Sequence, residues 1–243
     1  MFKYVEITKF LIELKKIAPV YNLSTAKENE FGSILRHDID VSVESAYNLA
    51  QIEYEHGIFS SILFLTTCPL YNIQSSENRR LIQTLASQGF DIGLHFDPTI
   101  YNTDNIEKLQ KNVELEIKII ENITGVSVKS VSLHCPSIHG MYPVFKGLNN
   151  AYDDGFFNPD LYISDSRMSF RDKIPFEFIS KAQNNMIQIL LHPFHYSKSG
   201  GNYKVLFNQL IKKYFTAIDQ NFRPYNSKYI SDLEGKTISD LYI

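Results

Sequence analysis

The chain has 243 residues, of which 24 are Lys or Arg and 27 are Asp or Glu, leaving a net charge of −3. That near balance, with no dense run of Lys or Arg, argues against a phosphate-tracking surface and sets nucleic acid aside as a partner. Two cysteines, Cys68 and Cys135, are too few for a disulfide framework and neither sits in a CxxC pair, which suits a reducing cytoplasm.

The first seventeen residues carry amphipathic spacing, with Ile7, Phe10, Leu11, Leu14 and Ile17 on one helical face. Glu6, Glu13 and several lysines inside that stretch are foreign to a signal peptide, and no run approaches eighteen apolar residues, so neither export nor membrane insertion is expected. A strand is predicted through Ile34–Asp40. A helix follows, opened by Ser42 as N-cap, carrying Val43, Ala46, Leu49, Ala50 and Glu53, and closed by Gly57. Ser60–Leu65 reads as a strand, Ser75–Ser87 as a helix stopped by Gly89, and Asp91–His95 as the next strand. From Thr103 to Thr124, Ile106, Leu109, Val113, Ile117 and Ile120 recur at three- and four-residue steps before Gly125, the clearest helical pattern in the chain. It leads to a strand ending at His134. Residues 137–178 are rich in Gly, Pro, Asn, Asp and aromatics with little periodicity, which predicts a loop-rich cover with short strands. A strand, Met186–His192, and a helix over about Tyr203–Asp219 complete the chain, apart from a tail that resists placement.

Strands and helices thus alternate, as in a parallel α/β sheet or barrel, and 243 residues fit one domain, 1–243. Five of the apolar runs stop at a chemically active residue: Asp38 and Asp40, His95 and Asp97, His134, Asp165, and His192. In parallel α/β folds the C-terminal strand ends converge on one mouth, so this pattern predicts an enzyme with one composite site. Residues two apart on a strand share a face, which puts Asp38 and Asp40 with Arg36 and turns His37 away. Such a pair can bind a metal, divide into base and ligand, or simply cap the next helix and pair with Arg36. His95 and Asp97 repeat the spacing on another strand, and an imidazole with carboxylates suits a zinc-like divalent ion.

Arg36-His37-Asp38-Ile39-Asp40, the stretch Ala50–Ser61, and Gly89-Phe90-Asp91-Ile92-Gly93-Leu94-His95-Phe96-Asp97 resemble the polysaccharide deacetylase (NodB-like, carbohydrate esterase) superfamily. The resemblance is to the RHDxD branch found among bacterial surface-polysaccharide genes. It continues through Ser132–Ser137, Tyr162–Arg167 and Leu190–Pro193, covering about 33–197 with the motifs in the family's order. It implies a distorted (β/α) barrel of about seven parallel strands around a divalent ion, zinc ahead of cobalt or nickel. It further implies Asp38 as general base, Asp40 and His95 as metal ligands, His192 as general acid, and Asp165 as the residue positioning that acid.

The chain departs from the family's pattern at three places. Ile39 separates two Asp residues that are adjacent in better-known members, so Asp38 and Asp40 are held as a pair whose roles can exchange. Thr99 stands where a second His is usual, leaving Asp97 or His134 to supply a third ligand. His134-Cys135-Pro136 replaces an Arg-x-Pro that normally orients the base. A Cys135–His134 catalytic pair is disfavoured, because neighbours on a strand face opposite ways. His195 reads as a loop residue or a substitute for His192, His56 and His139 as surface residues, and Tyr142, Phe156, Phe157 and Tyr162 as rings that can stack on a sugar.

Two function classes follow. One is a cytoplasmic, metal-dependent hydrolase that removes an acetyl or other acyl group from an N-acylated sugar or its nucleotide- or lipid-linked form. The other is a lapsed barrel of the same fold that binds a glycan or a partner protein.

Overall fold

A computed structural model describes residues 1–242, which fall into two compact units, 1–198 and 199–242. The first contains all of the motif-bearing stretch. Its strands are β1 (Val20–Tyr21), β2 (Gly32–Ile39), β3 (Ser61–Phe64), β4 (Asp91–Phe96), β5 (Ser130–Leu133), β6 (Asn149–Asn150), β7 (Tyr162–Ser164) and β8 (Met186–Leu191). Every pairing is parallel, in the order β6-β5-β4-β3-β2-β8-β7, so seven strands form a continuous path. The eighth, β1, pairs with Ser33 and Ile34 of β2, below the point where β3 begins at Arg36.

The sheet curls into a distorted barrel, and side chains that meet across its interior demonstrate the curl. Ser132 on β5 donates to Asp38 on β2 at 2.9 Å although two strands lie between them in the sheet. The edge strands β6 and β7 share no ladder. The gap between them is spanned by Gln188 of β8, whose amide donates to the carbonyls of Ala151 and Phe156 at 3.0 and 2.9 Å.

Period-two alternation sorts the strand residues. Ile39, Ile62, Phe64, Ile92, Leu94, Phe96, Val131 and Leu133 point outward and are buried beneath three helices: α3 (Val43–Glu55), α4 (Ser76–Ser87) and α5 (Ile106–Thr124), which follow α1 (Tyr4–Ile17) and the short α2 (Leu23–Ala26). Leu35, Ile187, Ile189 and Leu191 pack with Ile7, Phe10, Leu11 and Leu14 of α1 in a second cluster. The inward set, Arg36, Asp38, Ser61, His95, Ser130, Ser132 and Gln188, is polar yet buried. Usual parallel sheets are apolar on both faces, so this interior must satisfy its own hydrogen bonds. At the lower end it does so around Asp91, whose carboxylate accepts from Ser24, Ser61 and Ser130, each at 2.6 Å.

Helix boundaries follow local chemistry. Ser42 accepts from the Ser45 N–H at 3.1 Å, as its N-cap position predicts. Asn105, rather than Thr103, caps α5, so that helix begins at Ile106, and Gly125 ends it in the left-handed region at φ 72°. The loop-rich cover holds α6 (Pro136–His139), the two short strands β6 and β7, α7 (Pro175–Phe178) and single turns of 3₁₀ helix. In the second unit the last long helix, α8 (Tyr203–Phe222), outruns its expected end by three residues, and the tail forms α9 (Ser227–Asp232) and α10 (Ile238–Tyr242). Asp219 of α8 binds the Tyr229 hydroxyl at 2.7 Å and the Ile238 N–H at 3.1 Å, tying these three helices together. Among the described residues no helix is long and apolar enough to cross a membrane.

Gly93 faces inward at the tightest point of the sheet. A Cβ there would lie 2.3 Å from Leu63 Cδ2 and 2.5 Å from the Ser130 carbonyl, and the second contact is backbone that cannot swing away. Gly93→Ala is therefore expected to destabilise the first unit by about 1–3 kcal/mol, read as a lower urea midpoint with unchanged slope.

Candidate active site

Parallel strands put all their C-terminal ends on one side, and the polar strand endings meet there. Asp40 follows β2, His95 is the penultimate residue of β4, His134 follows β5, Asp165 follows β7 and His192 follows β8. His95 Nε2 lies 3.1 Å from Asp40 Oδ1 and 3.2 Å from His134 Nδ1, while His134 Nδ1 lies 3.4 Å from the same Asp40 oxygen. On the other side of Asp40, His192 Nε2 stands 3.7 Å from Oδ2.

The hydrogen bonds behind this triangle settle which nitrogen of His95 carries a proton. Asp38, an ionised carboxylate, can only accept, so the single hydroxyl proton of Ser132 goes to Asp38 Oδ1. Ser132 Oγ, 2.7 Å from His95 Nδ1, must then accept from it. His95 Nε2 is left facing Asp40 Oδ1 at 3.1 Å and the His134 Nδ1 with which it hydrogen-bonds at 3.2 Å, while Asp40 Oδ1 is itself buried with no hydrogen-bond donor in acceptable geometry. A buried carboxylate oxygen without a donor, bordered by two imidazole nitrogens, is a set of atoms that a cation would satisfy. Neighbouring Asp40 and Cys135 push the His134 imidazole up to about 10 against the opposing effect of burial. Asp40, Oδ1 foremost, His95 and His134 fit a divalent ion by chemistry, a carboxylate and two imidazoles, and by spacing. Donors around a tetrahedral zinc with bonds of about 2.0–2.2 Å are separated by about 3.3 Å.

Beneath the triangle lies a buried ion pair. Arg36 is wholly enclosed, donates through Nη1 to both oxygens of Asp38 at 2.6 and 2.5 Å and through Nε to Gln188 at 2.9 Å, and is covered by the Tyr152 ring at 4.9 Å. Burial would raise the Asp38 pKa, but Arg36, with His95 and His192, outweighs it and holds the carboxylate below its usual range. The carboxylate for which the resemblance implies a base role is thus clamped below the mouth, 3.7 Å from His95 Nδ1.

A second cluster faces the first. Asp165, fully buried, accepts from His192 Nδ1 at 2.6 Å, from the His192 backbone N–H at 3.0 Å and from His195 Nδ1 at 3.2 Å. Burial opposes its ionisation, yet the two imidazoles hold its pKa down; burial likewise opposes the charging of His192, while Asp165 pushes it up to about 9. His195 therefore shares Asp165 with His192, and the two ring centroids lie 5.3 Å apart.

Of the two residues considered for a third ligand, the structure brings His134 to Asp40 and His95. Asp97 instead caps the 3₁₀ turn Pro98–Tyr101, accepting from the Thr99 N–H at 2.9 Å and the Thr99 hydroxyl at 2.6 Å. His37 is turned to the outer face, as expected, and binds Glu53 at 2.6 Å. The strand rule that set Cys135 opposite His134 does not apply, because β5 ends at Leu133. Cys135 adopts left-handed φ 46°, and its Sγ comes within 3.6 Å of His134 Nε2. The other thiol, Cys68, donates to the Asp40 carbonyl at 3.1 Å. Of the cover aromatics, Tyr142, Phe157 and Tyr162 join Tyr152 in a chain of ring contacts. Ser132 and Gln188 escaped the sequence reading; the signal was present, since each shares the inward phase of its strand with site residues.

No protein-family model and no curated protein matches the chain. Among solved structures it is similar to a CE4-family pseudoenzyme from Bacillus anthracis, at 13% identity and TM-score 0.44 over 76% of this chain and 62% of that one. It is also similar to the peptidoglycan deacetylase PdaC from Bacillus subtilis, at 12% identity and TM-score 0.46 over 80% of this chain and 98% of that one. A third is the chitin deacetylase of Colletotrichum lindemuthianum, at 12% identity and TM-score 0.45 over 74% and 81% of the two chains. The match thus spans less than two-thirds of the Bacillus anthracis protein.

The buried pair makes an asymmetric demand on stability. Arg36→Ala strands Asp38 as an uncompensated interior charge and is expected to cost about 3–5 kcal/mol in denaturant unfolding. Arg36→Met combined with Asp38→Leu removes both charges, and should recover most of that loss.

Proposed function

We propose that this chain is a metal-dependent hydrolase that removes an acyl group, acetyl foremost, from the nitrogen of an N-acylated sugar. Its substrate class is a cytoplasmic nucleotide- or lipid-linked precursor of surface polysaccharide. The observation that carries the proposal is the triangle of Asp40 Oδ1, His95 Nε2 and His134 Nδ1, with edges of 3.1, 3.2 and 3.4 Å, set beside a His–Asp proton carrier. Two free thiols are in keeping with a reducing compartment.

A divalent ion held by Asp40, His95 and His134, zinc ahead of cobalt or nickel, would polarise the amide carbonyl and acidify a bound water. Ser132 keeps His95 in the tautomer that presents Nε2, and Arg36 with Asp38 keeps Ser132 in place. In this reading Asp38 acts through His95, and Asp40 takes the base role in addition to holding the ion. Asp40 Oδ2, the oxygen facing His192, accepts the proton of the attacking water. His192, charged at neutral pH because Asp165 pushes it to about 9, delivers its Nε2 proton to the amine as the C–N bond breaks, leaving free carboxylate and amino sugar. Asp165 holds that ring through Nδ1 at 2.6 Å and keeps Nε2 turned to the mouth.

Two measurements test this. Elemental analysis of protein purified without chelators should find about one divalent transition metal per chain, lost in His95→Ala and in His134→Ala. Acetate release from N-acetylated sugars and their nucleotide-linked forms should fall by roughly 10²–10⁴-fold in His192→Ala while metal content stays at the parent level. A parent protein that stays metal-free after incubation with zinc, cobalt and nickel would overturn the proposal and leave a barrel that binds glycan without hydrolysing it.

A further inference from the structure

Resting on the metal reading above, we infer that Cys135 is a positioning residue for His134, acting as the acceptor that fixes its ring and tautomer for metal binding. His134 Nδ1 faces Asp40 and His95, so it can serve a metal only when its proton resides on Nε2. That N–H needs an acceptor, because the ring is half-buried at the mouth. Cys135 Sγ, 3.6 Å from Nε2, stands in that place. His95 is braced on its rear nitrogen by Ser132, and Cys135 gives His134 the same support with sulfur as the acceptor.

Backbone geometry argues that the contact is built. Cys135 is in the left-handed region at φ 46°, which is unfavourable for a residue with a Cβ, and the residue is followed by Pro136 at the first position of a short helix. Had β5 simply continued, the thiol would point away from the ring, as alternation dictates. The turn reverses that direction. A glycine would adopt the same φ without strain, yet it would leave Nε2 without its acceptor.

Three substitutions separate this role from a merely conformational one. Zinc affinity, read by competition with a chromophoric chelator on the full-length protein, is expected to fall about tenfold in Cys135→Ala, the low end for loss of a partner behind a ligand. Cys135→Ser, whose hydroxyl still accepts from Nε2, should stay within about threefold of the parent. Cys135→Gly should lose affinity as the alanine variant does while its thermal midpoint without metal stays level or rises, since strain is relieved. Equal affinity in the parent, alanine and glycine proteins would overturn the inference and leave the metal reading intact. Failure of the parent itself to bind zinc would overturn both. Loss of affinity in the serine variant equal to that in alanine would also reject the acceptor role.

Discussion

The salt bridge between Arg36 and Asp38 is the constraint on which the rest of the first unit depends. An arginine with no solvent exposure inside a barrel is tolerable only if its charge is met, and the surrounding strands meet the charge and the Nε and Nη1 donors, leaving Nη2 without a hydrogen-bond acceptor. Asp38 supplies the charge, Gln188 accepts from Nε, and Tyr152 presents its ring face. Each of these neighbours has a second duty. Gln188 bridges the two edges of the open sheet, and Asp38 orders Ser132, which sets the tautomer of His95. Barrel closure and ligand preparation are thus two outputs of one buried ion pair.

Around that pair the polar interior forms two levels. The lower one, Asp91 with three serine hydroxyls, is neutralised by hydrogen bonds alone and plugs the floor. The upper one ends in the Asp40, His95 and His134 group at the mouth, whose edges of 3.1, 3.2 and 3.4 Å suit the donors of a tetrahedral ion. His192 is joined to Asp165 and stands 3.7 Å from Asp40 Oδ2, so that the proton carrier and the ion seat of the proposed reading would be held by different strands.

Much of this was legible in the chain, and the reasons are physical. The strand endings at Asp40, His95, His134, Asp165 and His192 were visible because each closes a short apolar run, with outward positions mostly apolar, His37 being an exception, and polar residues at most inward ones. Strand positions from Ile34 to Leu94 could be read for the same reason. What escaped was longer in range. Gln188 and Ser132 matter through partners 152 and 94 residues away, which no local pattern encodes. The choice between Asp97 and His134 turned on a cap: Asp97 is consumed by Thr99, the very residue standing where a histidine was expected. Cys135 was misjudged because a single left-handed residue reverses the direction that strand alternation assigns.

The central strand β2 finds its partner β8 about 150 residues further along the chain, and Arg36 spans 152 residues to reach Gln188. Long-range parallel pairing closes late in folding, because the loop entropy must be overcome before the contacts form. The triangle at the mouth draws on β2, β4 and β5, but the groups that orient it are completed only when β8 docks. A nascent or truncated chain therefore holds scattered histidines and carboxylates but no organised seat for an ion. On the proposed reading, metal capture would signal that the barrel has finished folding, and a bound ion would act as a latch against its reopening.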